Sequence, residues 1–196
     1  SAASDVYKRQ EVDGPSSPIK RSHFGYTHPH FIGDASATDT AIVARSKAIG
    51  PAFVRFPGGN GSNQYFWDGN LPAAILQDDV ITMENLIDPD AYNMGMDELF
   101  QICDSTGAEP VLVVNFSFAR YGPGEDRVEQ AAGYAANWVR YVNQTLDRNV
   151  RYWEIGNENY GPWQAGYMVE GEQITGTMYG EIFRVFADSM KAADPT

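Results

Sequence analysis

Apolar positions along the chain keep two different periods. Met96, Leu99, Phe100 and Cys103 recur at i, i+3, i+4 and i+7, the spacing of one helix face. Ala131, Ala135, Trp138, Val139 and Val142 repeat it, as do Tyr179, Ile182, Phe183, Phe186 and Met190. An earlier helix is expected from a Thr38-Asp39 cap to Ile49, stopped by Gly50-Pro51. Between these stripes lie short apolar runs without helical spacing. Val111-Leu112-Val113-Val114 is continuous and β-branched, as in a strand buried on both faces. Ala52 to Phe56 reads as a strand before it, and Val150, Tyr152, Trp153 and Ile155 as one after it. Ser22 to Ile32 is expected to hold the first strand. The order is therefore strand then helix, four times, which implies an α/β fold with a parallel sheet covered by helices. Four such units fit a doubly wound sheet or part of a barrel. No Gly-x-Gly-x-x-Gly follows the first strand, which counts against a dinucleotide-binding sheet.

The stripes are read as core, and composition agrees. The chain has 196 residues, with 43% hydrophobic and 13% aromatic content, enough for a folded domain with a real core. A net charge of −12 argues against nucleic acid or an anionic membrane surface as partner. No apolar run approaches a membrane span. Cys103 is the sole cysteine, so an intrachain disulfide is impossible. Residues 1–21 are expected to be a non-native and lead-in segment, because Ser1 to Gln10 has no apolar core like a signal peptide's and Glu11 to Arg21 shows no periodicity. Residues 22–196 then form the domain, which is expected to continue past Thr196.

Chemistry concentrates between Arg151 and Gln164. The strand ends at Gly156, which leaves Asn157 and Glu158 at its C-terminal end, followed by Tyr160, Trp163 and Gln164 around Gly161-Pro162. A carboxyl moves protons, an amide bonds hydroxyls, and aromatic rings stack on sugar C–H faces. A surface Glu after an ordinary strand is the plain alternative. Upstream, Arg55 and Asn60 bracket Phe56-Pro57-Gly58-Gly59, where glycines allow close backbone approach. The stretch from Asn60 to Asn93 is long for a connection, and such lengths are usually functional. His28-Pro29-His30 lacks Cys, Asp or Glu partners at ligand spacing, and the spacing of Asp88, Asp90, Asn93 and Gly95 is wrong for a calcium loop. No metal and no cofactor are expected.

The Gly-Asn-Glu followed by Gly-Pro-Trp-Gln resembles the acid/base motif of family 51 α-L-arabinofuranosidases, within clan A of the glycoside hydrolases. Val54-Arg55-Phe56-Pro57-Gly58-Gly59-Asn60 resembles that family's Arg-Tyr-Pro-Gly-Gly-Asn, and Val113-Val114-Asn115 resembles its third strand end. After Asn115 the family has Gly-Thr-Gly where this chain has Phe116-Ser117-Phe118. The resemblance implies a (β/α)8 TIM barrel, here its first four βα units, with the motifs at the C-terminal ends of strands. It implies a retaining glycoside hydrolase acting on carbohydrate, with Glu158 as general acid/base and Asn157, Arg55, Asn60, Asn115, Trp163 and Gln164 at the substrate. The nucleophile is expected outside residues 1–196, as a Glu ending strand seven, and this portion alone is expected to be inactive. Glu154 shares the parity of Glu158 along the strand and is expected to pair with Arg55. Tyr65, Trp67 and Tyr160 join Trp163 as candidate stacking platforms. A secreted or extracytoplasmic location is the expectation. Another clan A glycosidase (a xylosidase, glucuronidase or endo-glycanase) and a non-catalytic carbohydrate-binding barrel stand as alternatives.

Overall fold

The structure is a computed structural model, and it describes residues 17–29, 37, 39–89 and 95–195. Four strands form one sheet: β1 (Gly25–Thr27), β2 (Phe53–Phe56), β3 (Glu109–Val114) and β4 (Tyr152–Ile155). All three pairings are parallel, and the spatial order is β1-β2-β3-β4. Sequential order separates the two architectures left open above, because a doubly wound sheet reverses direction at a switch point and this one does not. The four βα units are those of a partial (β/α)8 barrel.

Helices follow the strands in turn: α1 (Thr40–Ile49), α2 (Met96–Thr106), a short α3 (Phe118–Tyr121), α4 (Arg127–Arg140) and, after β4, α5 (Gly176–Ala193). Asp39 caps α1, accepting from the backbone N–H of Ala41 at 2.8 Å and of Ile42 at 3.0 Å. Thr38, the other half of that expected cap, lies outside the described residues, as do His30, Asp90 and Asn93. Gly50 and Gly107 end α1 and α2 in the left-handed conformation. The first strand is shorter than expected. Arg21–His23 instead forms a 3-10 turn, and extended pairing begins only at Gly25.

Strand alternation divides the sheet into two faces. Val54, Phe56, Leu112 and Val114 point to the helices and are buried against Leu99, Phe100, Ala135, Trp138 and Val139. Arg55, Val111 and Glu154 lie on the opposite, inward face and are half-buried. Phe183, expected in the α5 stripe, is 39% exposed and borders a groove beside β4. A smaller core of Phe66, Ile81, Leu86, Tyr121, Ala165 and Val169 lies apart from the main one. It anchors the long stretch after β2 to the loops that follow β3 and β4. The hairpin β5 (Met168–Val169) with β6 (Glu172–Gln173) belongs to the last of these loops. Neither α3 nor this hairpin is visible in the hydrophobic pattern, because both are too short to show a period.

Candidate active site

Gly156 ends β4 with φ +77, and a Cβ there would collide with the Asn159 side chain and approach Phe116 Cβ within 2.7 Å. Only glycine lets the chain turn this closely behind the strand. The turn delivers Asn157 and Glu158 onto the C-terminal rim of the sheet. Glu158 is itself left-handed, with φ +45, an uncommon conformation for a residue with a side chain. Its carboxylate is exposed and faces three donors. The Tyr160 hydroxyl lies 3.3 Å from Oε1, while Trp163 Nε1 and Gln164 Nε2 each lie 3.4 Å from Oε2. These are long bonds of the kind that tighten when a ligand closes a site. The negative charge of Glu158 in turn raises the Tyr160 phenol above its ordinary pKa.

Behind the carboxylate is a buried layer of amides. Gln164 donates to Asn60 Oδ1 at 2.7 Å and accepts from Asn63 Nδ2 at 2.8 Å. Asn63 also donates to the Asn157 carbonyl at 2.7 Å, and its Oδ1 accepts from the Asn157 N–H at 3.3 Å. The Asn63 carbonyl accepts from the Tyr121 hydroxyl at 2.9 Å, and that hydroxyl accepts from Asn115 Nδ2 at 2.8 Å. Burial pushes the Tyr121 phenol far up in pKa, so it stays a neutral donor. One polar chain therefore connects the ends of β2, β3 and β4. Asn63, at its centre, escaped the sequence reading: it lies three residues past the matched motif, and nothing local marks it.

The residues singled out from sequence separate into two groups. Trp163 and Gln164 reach the Glu158 carboxylate, Asn60 joins them through Gln164, and Asn157 precedes Glu158 in the same turn. Arg55 joins them from below, bonding both Asn157 and Glu154. Asn115 sits elsewhere: it is buried, with Nδ2 on Tyr121 and Oδ1 accepting from the Phe118 N–H at 3.1 Å. Its amide is engaged inside the protein at both ends, so the structure places it in the scaffold. Phe116 packs on Tyr179 and Phe186, and the Ser117 hydroxyl accepts from Asn159 Nδ2 at 3.1 Å. The departure from the family pattern at 116–118 thus falls in the core behind the rim.

The four aromatic candidates divide in the same way. Tyr65 is buried edge-on against Phe56, and Trp67 stacks on Trp138 and Tyr141. Both are packing residues, not platforms. Tyr160 and Trp163 are 73% and 51% exposed beside Glu158, edge to face. A cleft of about 460 Å³ opens next to them, lined in part by Glu158, Tyr160, Tyr167 and Tyr179. Among the described residues, no three His, Cys, Asp or Glu side chains are grouped to hold a metal ion. None of the described helices is long and apolar enough to cross a membrane.

A carboxylate at the end of the fourth strand, an amide beside it and aromatic rings at its mouth therefore lie together on the C-terminal rim of a partial (β/α)8 barrel. The family model of the alpha-L-arabinofuranosidase 1 domain matches residues 45–196, and the chain belongs to that family. It is 29% identical over 172 residues to a probable alpha-L-arabinofuranosidase C of Aspergillus flavus, covering 84% of this chain and 32% of that protein. It is 27% identical over 160 residues to an intracellular exo-alpha-(1->5)-L-arabinofuranosidase of Acetivibrio thermocellus, covering 79% of this chain and 30% of that protein. The crystal structure of the alpha-L-arabinofuranosidase of Thermotoga maritima, an arabinose complex, superposes with a TM-score of 0.54 at 27% identity over 80% of this chain and 32% of that one. The chain spans about a third of the length of the curated relatives it matches.

Proposed function

We propose that this chain carries the acid/base side of a retaining hydrolase of α-L-arabinofuranosides. The observation that carries this reading is Glu158, held out from the rim by a left-handed turn with three donors around its carboxylate. In the first step Glu158 gives its proton to the leaving glycosidic oxygen. In the second it takes a proton from the water that releases the sugar. Asn157 and Asn60 bind sugar hydroxyls, and Tyr160 and Trp163 present faces to the sugar on the leaving side. Arg55 and Gln164 orient these groups.

A retaining mechanism needs a second carboxylate roughly 5 to 5.5 Å from the first. Glu154 is bound to Arg55 through Oε2, and no acid ends β2 or β3. The nucleophile is therefore proposed to come from outside residues 1–196, which alone would show no turnover. The family relation and the relatives' names support arabinofuranose as the sugar.

The test is Glu158→Ala in the complete enzyme. Hydrolysis of substrates with poor leaving groups is expected to fall by about 10²–10⁴-fold. Activated aryl arabinofuranosides should lose far less, because their leaving group departs without a proton. Equal losses on both, or a first-formed sugar of inverted configuration by NMR, would refute the proposal.

A further inference from the structure

Arg55 lies between two partners on the inward face. Its Nε and Nη2 each reach Glu154 Oε2 at 2.7 Å, and Nη2 also donates to Asn157 Oδ1 at 3.1 Å. A guanidinium has donors only, so the Asn157 atom facing it must be the amide oxygen. That contact decides which way the amide points. The main chain of Asn157 is separately pinned by Asn63 at both its N–H and its carbonyl. What is left over is Asn157 Nδ2. Asn157 is only 8% exposed, and this nitrogen is buried without a hydrogen-bond partner among the described residues. An amide donor buried unpaired bears the full desolvation penalty of the group, and such a cost usually persists where a ligand removes it.

We propose that Glu154 is a positioning residue: by holding Arg55 it fixes the Asn157 amide with its oxygen on the guanidinium and its NH₂ group unpaired, as a donor reserved for a sugar hydroxyl oxygen. The Arg55–Glu154 pair is itself part-exposed, with side chains 22% and 43% accessible, so its direct worth to stability is small. Its effect is on orientation. Without the carboxylate, Arg55 is free to swing away, and the amide loses the contact that distinguishes its two ends. This inference rests on Asn157 being a sugar ligand, as proposed above.

The experiment is a double-mutant cycle in the complete enzyme, using kcat and KM on an aryl α-L-arabinofuranoside together with thermal melting. Glu154→Ala is expected to lower kcat/KM about tenfold, mainly through kcat, with little change in melting temperature. In an Asn157→Ala background the same change should cost less than about twofold, because the group it positions is gone. Glu154→Gln, which keeps one acceptor oxygen, should recover part of the loss, and it carries the cycle if the alanine variant does not fold. A loss that repeats undiminished in the Asn157→Ala background would overturn the positioning role while leaving Asn157 as a ligand. A melting-temperature drop with kcat untouched would overturn it equally. An Asn157→Ala enzyme with unchanged kinetics would remove both the ligand reading and this inference.

Discussion

Two left-handed residues of the backbone hold the rim that carries Glu158 in place. Gly156 and Glu158 are both left-handed, at φ +77 and +45. For glycine this is inexpensive; for glutamate it is strain, which surrounding contacts must hold. Tyr160, Trp163 and Gln164 on the carboxylate, and Asn63 on the preceding residue, supply that hold. Gly156→Ala should therefore be severe for a single methyl group. It places a Cβ into Asn159 and against Phe116 in a conformation that disfavours it. A cost of about 2–4 kcal/mol is expected from the combined strain and overpacking. Urea unfolding measures the loss, and kcat/KM should fall with it because Asn157 and Glu158 shift together. A variant with unchanged stability would mean the turn relaxes elsewhere.

At the scale of elements, the site is an agreement between loops rather than a property of one strand. The 3-10 turn Gly59–Gln64 follows β2, yet its Asn63 contacts the segment after β4 from 94 and 101 residues away in sequence. The α3 turn, through Tyr121, locks the same asparagine from the β3 side. Asn63→Asp tests this agreement at nearly constant volume. The carboxylate keeps acceptors but loses both donated bonds, to the Asn157 carbonyl and Gln164 Oε1. It is expected to destabilise the protein by about 2–4 kcal/mol, comparable with Asn63→Ala. A near-neutral Asn63→Asp in chemical denaturation would show that packing, not hydrogen bonding, holds these loops.

Across the whole molecule, the sheet ends in an open edge. The outer side of β4 has no strand partner among the described residues. Beside it lies a groove of about 470 Å³ lined by Trp153, Ile155, Phe183 and Met190. A closed barrel pairs every strand on both sides, and an unpaired edge next to apolar surface is a site of association. Residues 1–196 expressed by themselves are expected to self-associate despite their net charge of −12. Light scattering with a thermal melt checks this; a monomeric, cooperatively melting product would contradict it.

The order of strands and helices was legible in the chain because hydrophobic period is a local property. Burying one face of a helix or strand demands apolar residues at that period wherever the element sits. The Arg55–Glu154 pair was legible for a related reason: an arginine on a buried strand needs a carboxylate partner, and Glu154, with the parity of Glu158, points to the inward face. Family membership was legible from Asn157-Glu158 with Gly161-Pro162-Trp163-Gln164, where side-chain chemistry is dictated position by position. Hydrophobic period alone left a doubly wound sheet open beside the barrel that the motifs implied, and the tertiary structure closed that choice, since strand order is set among distant segments. It also sent Asn115, Tyr65 and Trp67 into the scaffold and made Asn63 the centre of the polar layer. A buried amide takes its role from whatever donors and acceptors the fold brings within about 3 Å, and those partners lie far away along the chain.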